Sequence, residues 1–141
     1  EYVRSVNGAH YYNSSIDSSP TRTIAALNAF GEKKLIVLLG GYDKKIPYEP
    51  LGEPLCHHAK TVILTGNTAE PIKKALTEAL SYREGAPEII MAKDYGESVA
   101  IAHKLAREGD IVLLSPASAS FDAFRNFEER GRYFKDLVKA L

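Results

Sequence analysis

The chain has 141 residues, 45% of them hydrophobic and 26% charged, proportions of one folded domain rather than of a disordered chain, a fibre or a disulfide scaffold. Eighteen Lys and Arg balance eighteen Asp and Glu, so no global field draws the chain to nucleic acid or to an anionic membrane. The single cysteine, Cys56, excludes an internal disulfide and predicts a reducing, cytoplasmic setting, and the longest aliphatic run, Leu35–Leu39, is far shorter than the roughly 20 residues that cross a bilayer.

In chain order, Val3–Val6 and Ala9–Asn13 flank Asn7-Gly8, a pair that favours a two-residue hairpin turn, so the sheet is expected to begin with one antiparallel element. Ser19 is placed to cap, and Pro20 to open, a helix carrying Ile24, Leu27 and Phe30. Lys34–Leu39, Thr61–Thr65, Glu88–Met91 and Ile111–Leu114 are short apolar runs without polar alternation, predicted as strands buried on both faces of a parallel sheet. Between them, Ile72, Ala75, Leu76, Ala79 and Leu80 share one helical stripe, opened by Pro71. Val99, Ala102, Leu105 and Ala106 form another, with Asp94 and Glu97 spaced as a capping box. Phe134, Leu137, Val138 and Leu141 mark a terminal helix. This rhythm predicts a single α/β domain over residues 1–141: a Rossmann-like, three-layer fold, with a mainly parallel sheet of about six strands, one strand antiparallel, and helices on both faces.

The chain has neither G-x-G-x-x-G nor G-x-x-x-x-G-K-[ST], and no Cys/His spacing suited to a metal. His57-His58 read as a solvated helix end and Cys56 as a small buried hydrophobe. Ligands of open parallel sheets bind at the carboxyl ends of the strands, where three polar clusters fall. Asn13–Thr21 is rich in hydroxyls and leads into a helix N-terminus, suited to a phosphate or carboxylate and equally to a well-capped loop. Gly40-Gly41-Tyr42-Asp43-Lys44-Lys45 offers a tight turn and a cation, or simply a solvated loop. Ser115–Asp122 offers small residues that admit a ligand to the backbone; after it, Phe121, Phe124 and Phe127 follow at intervals of three, with Phe124 read as core.

In this order the clusters resemble the carboxyl-terminal domain of the Mur ligases, in their D-glutamate-adding branch. The segments that carry the resemblance are V-N-G-A-H-Y-Y-N-S-S-I-D-S-S-P-T-R-T at 6–23, L-L-G-G-Y-D-K-K-I-P-Y at 38–48 and L-L-S-P-A-S-A-S-F-D-A-F-R-N-F-E-E-R-G at 113–131. The resemblance implies a domain that presents the incoming amino acid. The whole enzyme would use ATP and magnesium to activate the carboxylate of UDP-N-acetylmuramoyl-L-alanine as an acyl phosphate, which the amine of D-glutamate attacks. It also implies a UDP-binding amino-terminal domain and a central ATPase domain, both outside this chain. The chain alone is then expected to bind neither cofactor and to lack ligase activity. By position the resemblance assigns Lys44, Ser120, Phe121, Phe127 and Ser18 to D-glutamate, Asn13, Ser14 and Asp17 to the ATP side, and no residue to a metal. It departs from the family at Ser14, where relatives commonly carry aspartate, and at Ile16, where they carry lysine; Asp17 is therefore expected to face the nucleotide in place of the missing acid. A folylpolyglutamate-type or other Mur ligase domain, or a stand-alone small-anion-binding module, fits the same sheet.

Overall fold

The computed structural model describes residues 1–120 and 123–141. β1 (Tyr2–Val6) and β2 (Ala9–Asn13) form the expected hairpin, in which Asn7 and Gly8 both take positive φ, as a tight turn between right-twisted strands requires. α1 (Pro20–Ala29) follows, with the Ser19 hydroxyl accepting from the Arg22 amide. The chain continues through β3 (Leu35–Gly41), a 3₁₀ turn at Glu49–Leu51, α2 (Gly52–His58), β4 (Ala59–Gly66), α3 (Ala69–Thr77), β5 (Glu88–Met91), α4 (Tyr95–Leu105), β6 (Ile111–Leu114) and α5 (Phe127–Lys139).

The sheet order is β1-β2-β6-β3-β4-β5, with every pairing parallel except β1 with β2. Alternation along β3 builds both cores. Leu35, Val37 and Leu39 meet Leu27 of α1, Leu55 of α2 and Ile72 and Leu76 of α3 on one face. Ile36 and Leu38 meet Val99 and Ala102 of α4 and Phe134 and Val138 of α5 on the other.

Three local expectations change. Glu88–Met91 is an edge strand, exposed at both ends, because only β4 pairs with it; its apolar run does not mark burial on both faces. The helix through Ile72 stops at Thr77, so Ala79 and Leu80 lie beyond it and Leu80 is 91% exposed. Asp94 caps α4 by accepting from the Glu97 amide, but the Glu97 carboxylate accepts from the Lys93 amide rather than from that of Asp94. His57-His58 do end a helix, and Lys34 Nζ donates to the carbonyl oxygens of Cys56 and His57 there. Cys56 is half-buried, and burial pushes its thiol pKa up.

Candidate functional site

β3 and β6 are neighbours whose chains leave on opposite sides, β3 toward α2 and β6 toward α5. Their carboxyl ends therefore open a crevice at a topological switch point, the usual ligand position in this architecture. The three polar clusters converge there. The Ser14 amide donates to the Leu114 carbonyl, the Gly40 amide to the Pro116 carbonyl and the Tyr42 amide to the Ala119 carbonyl. The loop after β6 is thus the bar to which the loops after β2 and β3 are fastened.

A buried guanidinium locks this arrangement. Arg130, 1% exposed, donates from Nε to the Ser15 hydroxyl at 2.9 Å, from Nη1 to the Ser118 carbonyl at 2.8 Å, and from Nη2 to the Ser15 carbonyl at 2.7 Å. A longer contact, 3.3 Å, reaches the Ser18 hydroxyl. Desolvation pushes the Arg130 pKa down, and the neighbouring Tyr95 phenol and Asp17 carboxylate act against that shift. Beside it runs a second buried chain: the Ser115 hydroxyl contacts a carboxylate oxygen of Asp17 at 2.7 Å and the Thr23 hydroxyl at 2.8 Å. Thr68 completes the clasp, its hydroxyl accepting from the Gly41 amide and lying 2.8 Å from that of Ser118.

Two concavities open on this frame. The first, about 440 Å³, has Gly41, Gly66, Tyr95, Ser120, Phe124 and Arg130 among its walls. The second, about 470 Å³, includes Asn13, Ser14, Ile16, Phe127, Arg132 and Lys135. The residues assigned from sequence divide between them. Ser120 is buried at the first, and its hydroxyl makes no hydrogen bond to another side chain among the described residues. Phe127, the exposed first residue of α5, lies in the second with Asn13 and Ser14. Lys44 is exposed on the turn after β3 and lines neither; no ion pair holds it among the described residues, whereas its neighbour Lys45 lies 3.8 Å from Asp43. Ser18 faces Arg130. Phe121 lies outside the described residues.

Asp17 requires a correction. Expected to face a nucleotide, it is 5% exposed, with its carboxylate on Ser115 and its charge near Arg130, and Ser19 rather than Asp17 caps α1. Asp17→Asn is accordingly expected to cost about 1.5–3 kcal/mol of stability, the range for a hydrogen bond to a charged group. Thermal unfolding checks this.

Arg130 and Tyr95 are the polar residues that sequence reasoning passed over. The signal for Arg130 was present: it falls at i, i+4 and i+8 with Phe134 and Val138, on the buried stripe of α5, where an unpaired cation does not belong. Tyr95 sits at the first position of α4, where nothing in the sequence tells which way a phenol turns.

Comparison with known proteins places this geometry. Residues 1–118 match the family model described as "Mur ligase, glutamate ligase domain". A UDP-N-acetylmuramoylalanine--D-glutamate ligase of Clostridium botulinum is 50% identical over 141 residues, covering all of this chain and 31% of the relative. The corresponding ligase of Acetivibrio thermocellus is 48% identical over 143 residues, covering all of this chain and 30% of its own length. Among solved structures, a murein peptide ligase from Psychrobacter arcticus aligns with a TM-score of 0.66 at 12% identity, over all of this chain and 30% of that one. A UDP-N-acetylmuramoyl-L-alanyl-D-glutamate--2,6-diaminopimelate ligase aligns with a TM-score of 0.58 at 17% identity, over 81% of this chain and 25% of that one. At such identities these structures speak for the fold alone. The chain spans about a third of the length of the curated relatives it matches, and over that span it belongs to the Mur ligase family.

Proposed function

We propose that this domain binds D-glutamate for an ATP-dependent ligase that joins it to UDP-N-acetylmuramoyl-L-alanine in peptidoglycan precursor synthesis, in the cytoplasm. The observation that carries this reading is identity of about half over the whole chain to a D-glutamate ligase. The reaction would form an amide bond between the D-glutamate nitrogen and an activated acyl carbon, with release of phosphate and of the amine proton. The contribution of this chain would be to bind and orient a dianionic amino acid. Lys44 would supply a cation for one carboxylate, since no ion pair holds it among the described residues. Ser120, at the first concavity, would supply a donor for the other, with Ser18 near it through Arg130 and Phe127 at the neighbouring concavity. These groups stand on three loops fastened to β6, so they would need little ordering when substrate arrives.

Asp17 faces inward, so of the residues assigned to the ATP side Asn13 and Ser14, which line the second concavity, are left to meet the nucleotide. Among the described residues no group of three His, Cys, Asp or Glu side chains is arranged to hold a metal ion. In this reading ATP, magnesium and the UDP-linked substrate are held mainly by the parts of the ligase that lie outside this chain.

The test is Lys44→Ala in the full-length enzyme. Loss of a charge-assisted contact worth about 1.5–3 kcal/mol would raise KM for D-glutamate about 10- to 150-fold. KM for ATP should stay within about twofold, since Lys44 makes no contact on that side in this reading. Equal effects on both substrates would show that Lys44 does not hold the amino acid.

A further inference from the structure

Tyr95 has no role in the binding proposed above, yet it lines the first concavity. It is the first residue of that helix and is buried. Its ring stacks on Phe124 at 6.0 Å between centroids, and Phe124 on Tyr133 at 5.4 Å. Its hydroxyl donates to the Gly40 carbonyl and lies beside the Arg130 guanidinium.

Gly40 is the last residue but one of β3, with φ +113, just before the turn that carries Lys44. The turn is otherwise held by the Pro116 and Ala119 carbonyls of the loop after β6 and by the Thr68 hydroxyl. Tyr95 approaches it from the α4–α5 face of the sheet, where Arg130 Nη1 also lies against Gly41. One phenol therefore touches both the lysine-bearing turn and the cation that joins the other two loops.

We infer that Tyr95 is a positioning residue for the amino-acid site, its hydroxyl holding the end of β3 at Gly40 and so fixing the level at which the following turn leaves the sheet, and hence the placement of Lys44 against Ser120. The inference rests on the D-glutamate reading above. Burial pushes the Tyr95 pKa up to about 12, so the phenol keeps its proton and can donate throughout the neutral range. The ring packing and the hydrogen bond are separable. Tyr95→Phe keeps the stack on Phe124 and the buried surface and deletes only the donor.

The experiment is steady-state kinetics of Tyr95→Phe in the full-length ligase, beside thermal unfolding. The expected result is a rise of about 3- to 10-fold in KM for D-glutamate, as for loss of one net hydrogen bond, with KM for ATP and for the UDP-linked substrate within about twofold. Wild-type turnover of D-glutamate with an unchanged D-glutamate KM in the variant overturns the inference alone. So does a parallel rise in all three KM values, or a lower Tm with no selective change in KM, since either marks packing rather than positioning. A wild-type enzyme that does not turn over D-glutamate overturns the parent reading, and this inference with it.

Discussion

Arg130→Met is expected to remove about 3–5 kcal/mol from the stability of the domain, since several buried acceptors each left without a partner cost about 1–3 kcal/mol. For a chain of this size that corresponds to a fall in Tm of about 10–20 °C. Methionine fills the space of the Arg130 stem with an unbranched apolar chain, so the loss is not one of packing. It is the loss of three donors whose acceptors stay buried: the Ser15 hydroxyl and the carbonyl oxygens of Ser15 and Ser118. Asp17 would keep the Ser115 hydroxyl but lose the favourable charge of Arg130. Because the two residues interact through that charge, Asp17→Asn combined with Arg130→Met should be less damaging than the sum of the two single changes. Arg130→Lys should rescue only in part, since an ammonium cannot reproduce a fork that spans Ser15 and Ser118. Thermal unfolding of the four variants provides the cycle, and additive losses would show that Asp17 and Arg130 do not interact.

Gly40→Ala is expected to be at least as damaging, at about 4–5 kcal/mol or more, which places it among the exceptional single substitutions. Two effects add. At φ +113 any side chain is strained, and an ideal Cβ would stand 1.9 Å from the Thr65 carbonyl oxygen and 2.8 Å from the Thr65 carbonyl carbon and nitrogen. Those atoms belong to β4, paired with β3 along this stretch, so neither strand can yield without opening the ladder. Gly85→Ala isolates the first effect. Gly85 also has positive φ, at +77, but a Cβ there meets nothing within 4 Å. It should cost only the backbone strain, about 1–2 kcal/mol. Similar Tm losses for the two variants would mean that the contact with Thr65 relaxes freely.

Most of the scaffold was legible because its signals are local. Asn7-Gly8 dictates its turn, Ser19-Pro20 its helix start, and the aliphatic runs of β3, β4 and β6 their burial. Glu88–Met91 shows where that logic stops: an apolar tetrapeptide does not say whether it will gain a second neighbour. The site was legible only as three loops at strand ends. What knits them is a set of contacts across large sequence separations, 115 residues from Ser15 to Arg130 and 98 from Asp17 to Ser115. No spacing rule spans such intervals. Asp17 was misplaced for that reason, since its partners follow from tertiary packing and not from its own loop.

The position of β6 between β2 and β3 bears on how the molecule is made. Until residues 111–114 are in place, β1-β2 and β3-β4-β5 are two sheets with no hydrogen-bonded edge in common. A chain emerging from the ribosome therefore holds two open edges facing an empty slot until residues 111–114 are synthesised. Closing that slot is a long-range, entropically costly step, and it belongs late in folding. The same event delivers Ser115–Ser120, to which the other two loops are fastened. Completion of the sheet and assembly of the crevice are one step, so a folding intermediate lacking β6 would have neither, and its exposed edges would make it the form most prone to aggregate.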